Sequence, residues 1–218
     1  MLNVTLNKPG GTEHRILCLG AHSDDIEIGC GGTILALLDR YEDVSVHWVV
    51  FSADEMRAGE ARVAASRFLE RAGSRDVVVR GFRDGHFPFQ GAAIKEEFEA
   101  IKQRFEPDLI LTHYRDDRHQ DHRLISDLTW NTFRNHLILE YEIPKYDGDF
   151  GSPNVFMPLP ESICSRKVRH LMESFESQRR KPWFDERTFS AVLRIRGMEA
   201  ASPTRLAEAF YCRKMLLR

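Results

Sequence analysis

Short apolar runs alternate with amphipathic segments through the first two thirds of the chain. Four runs are rich in Val, Ile and Leu, a composition typical of buried strands, and they lie at residues 15–20, 44–52, 76–82 and 107–113. Between them, apolar residues recur at helical spacing in three segments, at 31–41, 54–72 and 91–105. Strands and helices that alternate in this way predict an α/β fold, with a Rossmann-like, mostly parallel sheet and helices on both faces.

This alternation weakens beyond residue 123. There the pattern predicts a helix at 127–137 and two extended segments that flank a loop rich in Pro and Gly. Further helices are expected at 162–178 and 185–201, before a strand-like run near the C-terminus. The chain has 218 residues, of which 42% are hydrophobic, so it can bury one sizeable core. We therefore expect residues 1–218 to form a single domain.

Charge and composition argue against several classes of partner. Because 33 acidic residues nearly balance 31 basic ones, bulk charge gives no support to binding of nucleic acid. The N-terminal segment lacks the pattern of a secretory signal, and no apolar stretch approaches the roughly 20 residues of a membrane span. We therefore expect a cytoplasmic protein without a membrane span. The four cysteines show no C-x-x-C spacing, which predicts free thiols rather than structural disulfides.

Histidines and acids crowd the ends of the first and fourth predicted strands. The first strand is followed by "HSDD" at 22–25, and the fourth leads into "HYRDDRHQDHR" at 113–123. Each cluster by itself is also compatible with a solvated loop rich in capping residues. However, ligands bind beyond the carboxyl ends of parallel strands, where both clusters should meet. Together they predict a metal site.

The residue types in these clusters suit a catalytic divalent cation. Zinc binds imidazole nitrogen and carboxylate oxygen, and a catalytic zinc takes three protein ligands and keeps a fourth position open. His22 and Asp25 supply two such ligands three residues apart, and His122 is the expected third. Two histidines and one carboxylate also suit Fe²⁺, so the ligand types do not determine the metal.

Three neighbouring residues are candidates for catalytic roles. Asp24 is adjacent to a predicted ligand, where it could accept a proton as general base. His119 precedes His122 by one helical turn, so we expect its ring to face the same cavity as a proton donor or oxyanion stabiliser. Asp121 is expected to orient an imidazole ring.

These motifs resemble those of the PIG-L/LmbE-like family of zinc-dependent N-deacetylases. The segment "AHSDD...GCGG", followed by "HQDH", is similar to the family pattern A-H-P-D-D with a downstream H-x-D-H, with Ser23 in place of the proline. By position, the resemblance implies the same assignments as above: metal ligands His22, Asp25 and His122, general base Asp24, acid or electrostatic residue His119, and the intervening acid Asp121. It further implies one Zn²⁺ per chain, hydrolysis of an N-acetyl group from an N-acetylglucosamine-type amino sugar, and a homo-oligomer.

A second family-like segment introduces a substrate-binding candidate. "RAGEARVAA" resembles the family helix R-x-x-E-x-x-x-A-A, and Arg57 follows a predicted strand end closely enough to reach a substrate hydroxyl or phosphate. The alternative is an ion pair between Arg57 and Glu60 on the helix surface. The loops at 82–90 and 144–160 are expected beside the site, although the sequence does not show which of their residues contact substrate.

Other functions remain open from the sequence. The glycines at 29–32 resemble a dinucleotide-binding turn, but they follow the strand too late, so we expect them to bring the helix start close to the metal loop. A metal-dependent phosphoesterase would need a second metal and a bridging carboxylate, for which Asp116 or Asp117 could be recruited. An inactive binding module on the same fold is the remaining alternative.

Overall fold

The central feature of the fold is one mixed β-sheet. The computed structural model describes residues 4–6 and 13–216. Within them, seven strands form the sheet: β1 (His14–Gly20), β2 (Val44–Val50), β3 (Ser74–Val79), β4 (Leu109–His113), β5 (Leu137–Tyr141), β6 (Val155–Pro158) and β7 (Ala207–Tyr211). The strand order is β3-β2-β1-β4-β5-β7-β6, and β1 to β5 pair in parallel while β7 runs antiparallel to both its neighbours. The predicted, mostly parallel α/β sheet is therefore confirmed.

Helices cover both faces of this sheet. In the described part of the chain they are α1 (Asp25–Arg40), α2 (Glu55–Phe68), α3 (Gly91–Arg104), α4 (Gln120–Thr132), α5 (Glu161–Ser174) and α6 (Glu186–Glu199). Side chains alternate along β1, so Ile16 and Cys18 join the core under α1, α2, α5 and α6, whereas Leu17 and Leu19 join the core under α3 and α4. Two apolar layers thus hold the strand ends in place.

Two helices begin earlier than the sequence pattern predicts. Helix α1 starts at Asp25 rather than at residue 31, and α4 starts at Gln120 rather than at residue 127. The first turn of α4 consists of polar residues, and glycines interrupt α1 directly after its first turn, so neither helix start carries a continuous apolar periodicity. The predicted helix at 127–137 was also wrong at its end, because β5 begins at Leu137. The polar side chains of both first turns consequently have fixed positions at the edge of the sheet.

The glycines of α1 pack against other elements rather than against the metal loop. A Cβ atom at Gly29 would lie 2.1 Å from the ring of Tyr141, and one at Gly31 would lie 2.5 Å from the ring of Phe68. These glycines therefore allow α1 to approach β5 and α2 closely. The expectation that they serve the approach of the helix start to the metal loop was wrong.

Replacement of Gly29 tests this close packing. We expect Gly29→Ala to lower the free energy of unfolding by about 1–3 kcal/mol, because the added methyl group overlaps a fully buried ring. Gly59→Ala is the matched control, since its Cβ meets nothing within 4 Å on the exposed side of α2. That control should gain roughly 0.5–1 kcal/mol from higher helix propensity. Thermal and denaturant unfolding measure both, and equal stability of the two variants would contradict the packing argument.

Two further expectations concern the cysteines and the membrane. All four cysteines are free, and Cys18, Cys30 and Cys164 are buried, as the absence of paired spacing predicts. No helix in the described residues has the length and apolar character needed to cross a membrane.

Candidate metal centre

The two polar clusters meet at the carboxyl ends of β1 and β4, in the middle of the sheet. These strands are neighbours, and the chain proceeds from them in opposite directions across the sheet, which is where α/β proteins usually bind ligands. The backbone N–H of Ala21, just after β1, donates to Nε2 of His113, the last residue of β4, at 2.9 Å. This bond joins the two strand ends directly and brings 22–25 beside the start of α4.

The three predicted ligands converge on a common point. His22 Nδ1 lies 3.2 Å from His122 Nε2 and 3.4 Å from Asp25 Oδ2, and the last two atoms are 3.5 Å apart. Ligand atoms that bind one ion at about 2.0–2.1 Å with roughly tetrahedral angles are themselves about 3.3–3.5 Å apart. The triangle of His22, Asp25 and His122 therefore has the dimensions of three corners of a tetrahedral metal site.

The electrostatics of this triangle also suit a cation. Burial raises the pKa of Asp25, but the imidazoles of His122, His113 and His22 outweigh it and hold the pKa well below its ordinary value. Burial and the neighbouring His113 lower the pKa of His122 to about 4, so its ring is neutral at pH 7. Burial also lowers the pKa of His22, yet Asp25 and Asp121 reverse this and raise it well above normal. The negative charge that attracts a proton to His22 would equally attract a divalent ion.

In both His22 and His122, the ring nitrogen that points away from the three-ligand triangle, called the outer nitrogen, contacts a carboxylate. His122 Nδ1 donates to Asp117 Oδ2 at 2.9 Å, which leaves its Nε2 lone pair directed at the centre. His22 Nε2 lies 3.3 Å from Asp121 Oδ2 and 3.0 Å from Asp84 Oδ1. Such outer partners orient metal-binding histidines and increase their basicity. The structure thus places Asp121 against an imidazole, as the sequence led us to expect, and that imidazole is His22.

Two residues of the centre received no role at the single metal site in the sequence analysis, which named Asp117 only as a possible bridging carboxylate of a phosphoesterase. His113 is fully buried, and its ring stacks on that of His122 with centroids 4.0 Å apart. Asp117 accepts from both His122 and the backbone N–H of His119. The signal for His113 was its position at the very end of a buried strand. Asp117 gave no such signal, because its contact with His122 depends on how the loop before α4 folds back.

Overlapping groups in the described residues could also hold an ion. Besides the triangle, they are Asp25 with His113 and His122, His22 with His119 and His122, and His22 with Asp84, His119 and Asp121. Nε2 of His113 already accepts the hydrogen bond from Ala21, so its lone pair is not free for a metal. This favours His22 over His113 as the third ligand beside Asp25 and His122.

Asp24 presents one fixed and one free carboxylate oxygen. Its Oδ1 accepts from Arg57 Nη2 at 2.9 Å. Its Oδ2 is buried and has no hydrogen-bond partner among the residues that the structure describes. Burial raises the pKa of this carboxyl group, and the charge of Arg57 opposes the rise. Arg57 therefore holds Asp24 in one orientation and leaves the second oxygen able to accept a proton.

The surface ion pair considered for Arg57 and Glu60 is not formed. The guanidinium of Arg57 binds Asp24, whereas Glu60 accepts from the backbone N–H of Ser177 at 2.8 Å and from its hydroxyl at 2.6 Å. Helix α2 turns Arg57 toward the centre and uses Glu60 to hold the segment after α5. That alternative was wrong, and substrate contact by Arg57 stays a prediction.

His119 faces the centre from a position outside the helix. It is the N-cap of α4, with an extended backbone, and its carbonyl oxygen accepts the first helical hydrogen bond, from the N–H of Arg123 at 3.1 Å. Its ring centroid is 4.6 Å from that of His122 and 4.9 Å from that of His22, so the rings face one cavity as the spacing predicts. Its Nδ1 accepts from the N–H of Asp121 at 3.3 Å, which places the proton on Nε2. Burial and the neighbouring His22 lower its pKa, so this ring is a neutral donor.

The segment of the chain that carries this arrangement matches a known protein family. Residues 17–133, more than half of the chain and all the residues of the centre described so far, match the family model "PIG-L: GlcNAc-PI de-N-acetylase". The chain belongs to the PIG-L family. The resemblance found in "AHSDD...GCGG" and "HQDH" is therefore confirmed.

Solved structures with the same fold cover 94–95% of this PIG-L chain. The conserved protein TT1542 from Thermus thermophilus is 18% identical, with a TM-score of 0.72 over 95% of this chain and 97% of that one. N,N'-diacetylchitobiose deacetylase from Pyrococcus horikoshii is 19% identical, with a TM-score of 0.69 over 95% and 86%. GalB, the 4-carboxy-2-hydroxymuconate hydratase from Pseudomonas putida, is 17% identical, with a TM-score of 0.72 over 94% and 98%. At these identities the likeness extends to the fold alone.

Proposed function

We propose that this PIG-L protein is a metal-dependent hydrolase that removes an N-acetyl group from an N-acetylglucosamine-type amino sugar. The observation that carries the proposal is the triangle of His22, Asp25 and His122 with the free Oδ2 of Asp24 beside it. A cation site next to an unpartnered carboxylate oxygen is the arrangement that water-mediated amide hydrolysis needs. The acetyl group and the amino sugar come from the family, whose model is described as a GlcNAc-PI de-N-acetylase.

His22, Asp25 and His122 would hold one divalent ion per chain. Zn²⁺ suits this set of two imidazoles and one carboxylate, and Fe²⁺ suits it as well. When bound, such an ion supplies Lewis acidity toward the amide carbonyl and makes a water nucleophile available near neutral pH. Asp117 and Asp121 keep the two imidazoles oriented for it by holding their outer nitrogens.

Asp24 and His119 divide the proton transfers between them. Asp24 Oδ2 accepts the proton of the attacking water, while Arg57 keeps the carboxylate from rotating away. His119 Nε2–H donates to the carbonyl oxygen as negative charge develops on it. The amine that leaves then takes the proton that the Asp24 carboxyl group received from the water. Arg57 has only limited exposure, and we propose that its remaining nitrogens meet a substrate hydroxyl group.

The surroundings of Asp117 favour deacetylation over phosphoester hydrolysis. A second metal would need a bridging carboxylate, yet both oxygens of Asp117 already accept, from His122, Lys145 and the N–H of His119. Asp116 is exposed and lies 3.8 Å from Arg115. The complete set of candidate ligands, base and donor likewise favours an enzyme over an inactive binding module.

Release of acetate tests the proposed function. We expect protein purified without chelator to carry about one metal per chain, and to release acetate and a free amine from a panel of N-acetylglucosamine derivatives. A chelator should abolish the activity and added Zn²⁺ or Fe²⁺ should restore it. Absence of acetate across the panel from metal-loaded protein would reject the function.

The homo-oligomer and the cytoplasmic location stay predictions. Light scattering would measure the oligomeric state.

A further inference from the structure

Each of the two acids that contact the outer nitrogens is itself bound by a loop. Two backbone N–H groups of the β3–α3 loop (residues 80–90) donate to Asp121, at 2.6 Å and 3.1 Å. Lys145 Nζ, from the β5–β6 loop (residues 142–154), donates to Asp117 Oδ2 at 3.0 Å. Asp121 is therefore fixed by backbone groups, whereas Asp117 receives a charged side chain from beyond the segment that the family model matches.

The side chain of Lys145 turns inward from an exposed stretch of the β5–β6 loop. The three residues that follow it, 146–148, are exposed, yet its own side chain is only 9% exposed. Its ammonium also binds Asp149 Oδ1 at 2.7 Å, and Asp149 Oδ2 accepts from the backbone N–H of Arg118 at 2.7 Å. Lysine on a loop ordinarily keeps its charge in water, and a buried ion pair is weak evidence for net stability. The inward position of this ammonium therefore indicates another role.

One oxygen of Asp117 serves both the metal centre and the lysine. Oδ2 accepts from His122 Nδ1 at 2.9 Å and from Lys145 Nζ at 3.0 Å. Oδ1 accepts from the backbone N–H of His119 at 2.8 Å. The two histidines lie within five residues of Asp117, at the start of α4, whereas Lys145 comes from a separate part of the fold. Lys145 thus ties the carboxylate to the β5–β6 loop.

The ring of His122 lies between two carboxylates that compete for its proton. Asp117 Oδ2 is 2.9 Å from Nδ1, and Asp25 Oδ2 is 3.5 Å from Nε2. A neutral imidazole carries one ring proton. A proton on Nδ1 leaves the Nε2 lone pair free for a metal ion, whereas a proton on Nε2 blocks it. The position of the Asp117 carboxylate therefore decides which tautomer forms.

We infer that Lys145 is a positioning residue of the metal centre, which holds the carboxylate of Asp117 against His122 and so maintains the metal-binding tautomer of that ring. This inference rests on the proposed function, because it concerns the same metal site. Asp117 and Asp149 bind one ammonium, and without it these two like charges repel each other. Relief of that repulsion moves Asp117 away from Nδ1, which favours the ring proton on Nε2 beside Asp25.

A double-mutant cycle on Zn²⁺ affinity tests this role. Lys145→Met removes the ammonium, and we expect it to weaken Zn²⁺ binding roughly tenfold, the low end of the 10–100-fold that loss of an outer partner costs. In an Asp117→Ala background the same change should alter affinity by less than about twofold, because Lys145 acts through Asp117. Lys145→Arg keeps the charge and several donors, so it should bind Zn²⁺ nearly as wild type does. Competition with a chromogenic chelator measures each affinity.

Lys167→Met is the matched control for Lys145→Met. Lys167 is also a buried lysine, and its ammonium binds Glu208 and the carbonyl oxygen of Ile28, each at 2.6 Å and each outside the metal centre. We expect this variant to have a lower free energy of unfolding and an unchanged Zn²⁺ affinity in its folded state. Lys145→Gln, which also removes the charge but keeps a polar head, replaces Lys145→Met if the methionine variant does not fold.

NMR of the metal-free protein gives an independent measurement. The imidazole ¹⁵N signals of His122, identified by their absence from His122→Ala, should show the proton on Nδ1 in wild type. In Lys145→Met we expect the proton at least partly on Nε2, and in Lys167→Met we expect the wild-type tautomer. This measurement requires neither metal nor substrate.

The role of Lys145 and the proposed function fail in different ways. The role is overturned if Lys145→Met binds Zn²⁺ as tightly as wild type or more tightly, or weakens binding equally with and without Asp117. It is also overturned if Lys167→Met loses the same affinity, because the loss then reflects stability alone. Absence of acetate release together with the expected affinities rejects the deacetylase and leaves the role standing. If wild type binds no divalent ion, the NMR comparison decides, and an unchanged tautomer in Lys145→Met overturns the role.

Discussion

Asp24→Asn should lower kcat by roughly 10² to 10⁴ while metal content stays near that of wild type, the loss expected when a general base is removed. The amide keeps the shape of the side chain and an oxygen for the hydrogen bond from Arg57. It places a nitrogen where Oδ2 has no partner within residues 4–6 and 13–216, and that nitrogen cannot accept a proton. The measurement is steady-state acetate release on a confirmed substrate, alongside metal analysis of the same preparation.

The control for Asp24→Asn is Asp116→Asn. Asp116 is another acid near the centre, but it is exposed and paired at 3.8 Å with Arg115. We expect this control to keep wild-type kcat and metal content, because a screened surface pair contributes little. Full activity of Asp24→Asn combined with retained metal in an Asp25 variant would show that the two adjacent aspartates have been assigned the wrong way round.

Replacement of any one ligand should remove the metal itself. We expect His22→Ala, Asp25→Ala and His122→Ala each to lower metal affinity by more than the roughly 10–100-fold that loss of an outer partner costs, because each removes a direct bond to the ion. Affinity is measured by competition with a chromogenic chelator, and metal content by elemental analysis. Co²⁺ substitution gives an independent reading, since its visible spectrum reports the loss of a ligand.

Two observations keep the ligand test interpretable. His136→Ala is the matched control, because His136 lies between α4 and β5 with its ring against Phe133, away from the centre. Circular dichroism of each metal-free variant shows whether the fold persists. The assignment of the triangle is wrong if two of the three ligand variants bind metal as tightly as the control. In that event His113, which stacks on His122, becomes the residue to replace next.

The sequence by itself determined the architecture and most of the centre's composition. Apolar runs and helical periodicity are visible over short stretches of sequence, so β1 to β4 could be predicted from local pattern. The parallel order of these strands then requires that residues just after β1 and β4 share one edge. This explains why His22, Asp25 and His122 could be chosen together without a structure.

Only the tertiary structure decided which side chain serves which partner. Asp117 bonds to His122 and Lys145, Asp121 to His22 and the β3–α3 loop, and none of these pairings has a signature in local pattern. The same holds for Arg57, which the sequence left between substrate and Glu60 and which binds Asp24 instead. These contacts join segments that lie far apart in the chain, and side-chain orientation and loop closure select them.

The tertiary structure alone also decided which aromatic side chains are exposed. The sequence places Phe82, Phe87 and Phe89 in one loop with nothing to distinguish them, yet Phe87 is fully buried while Phe89 is 86% exposed. The difference arises because Asp121 captures the N–H of Phe87 and draws that residue into the core beneath α4. Phe89, two residues farther along a 3-10 turn, is left facing solvent. The residue types were set by the sequence, and packing of the loop on α4 decided which ring is buried and which is exposed.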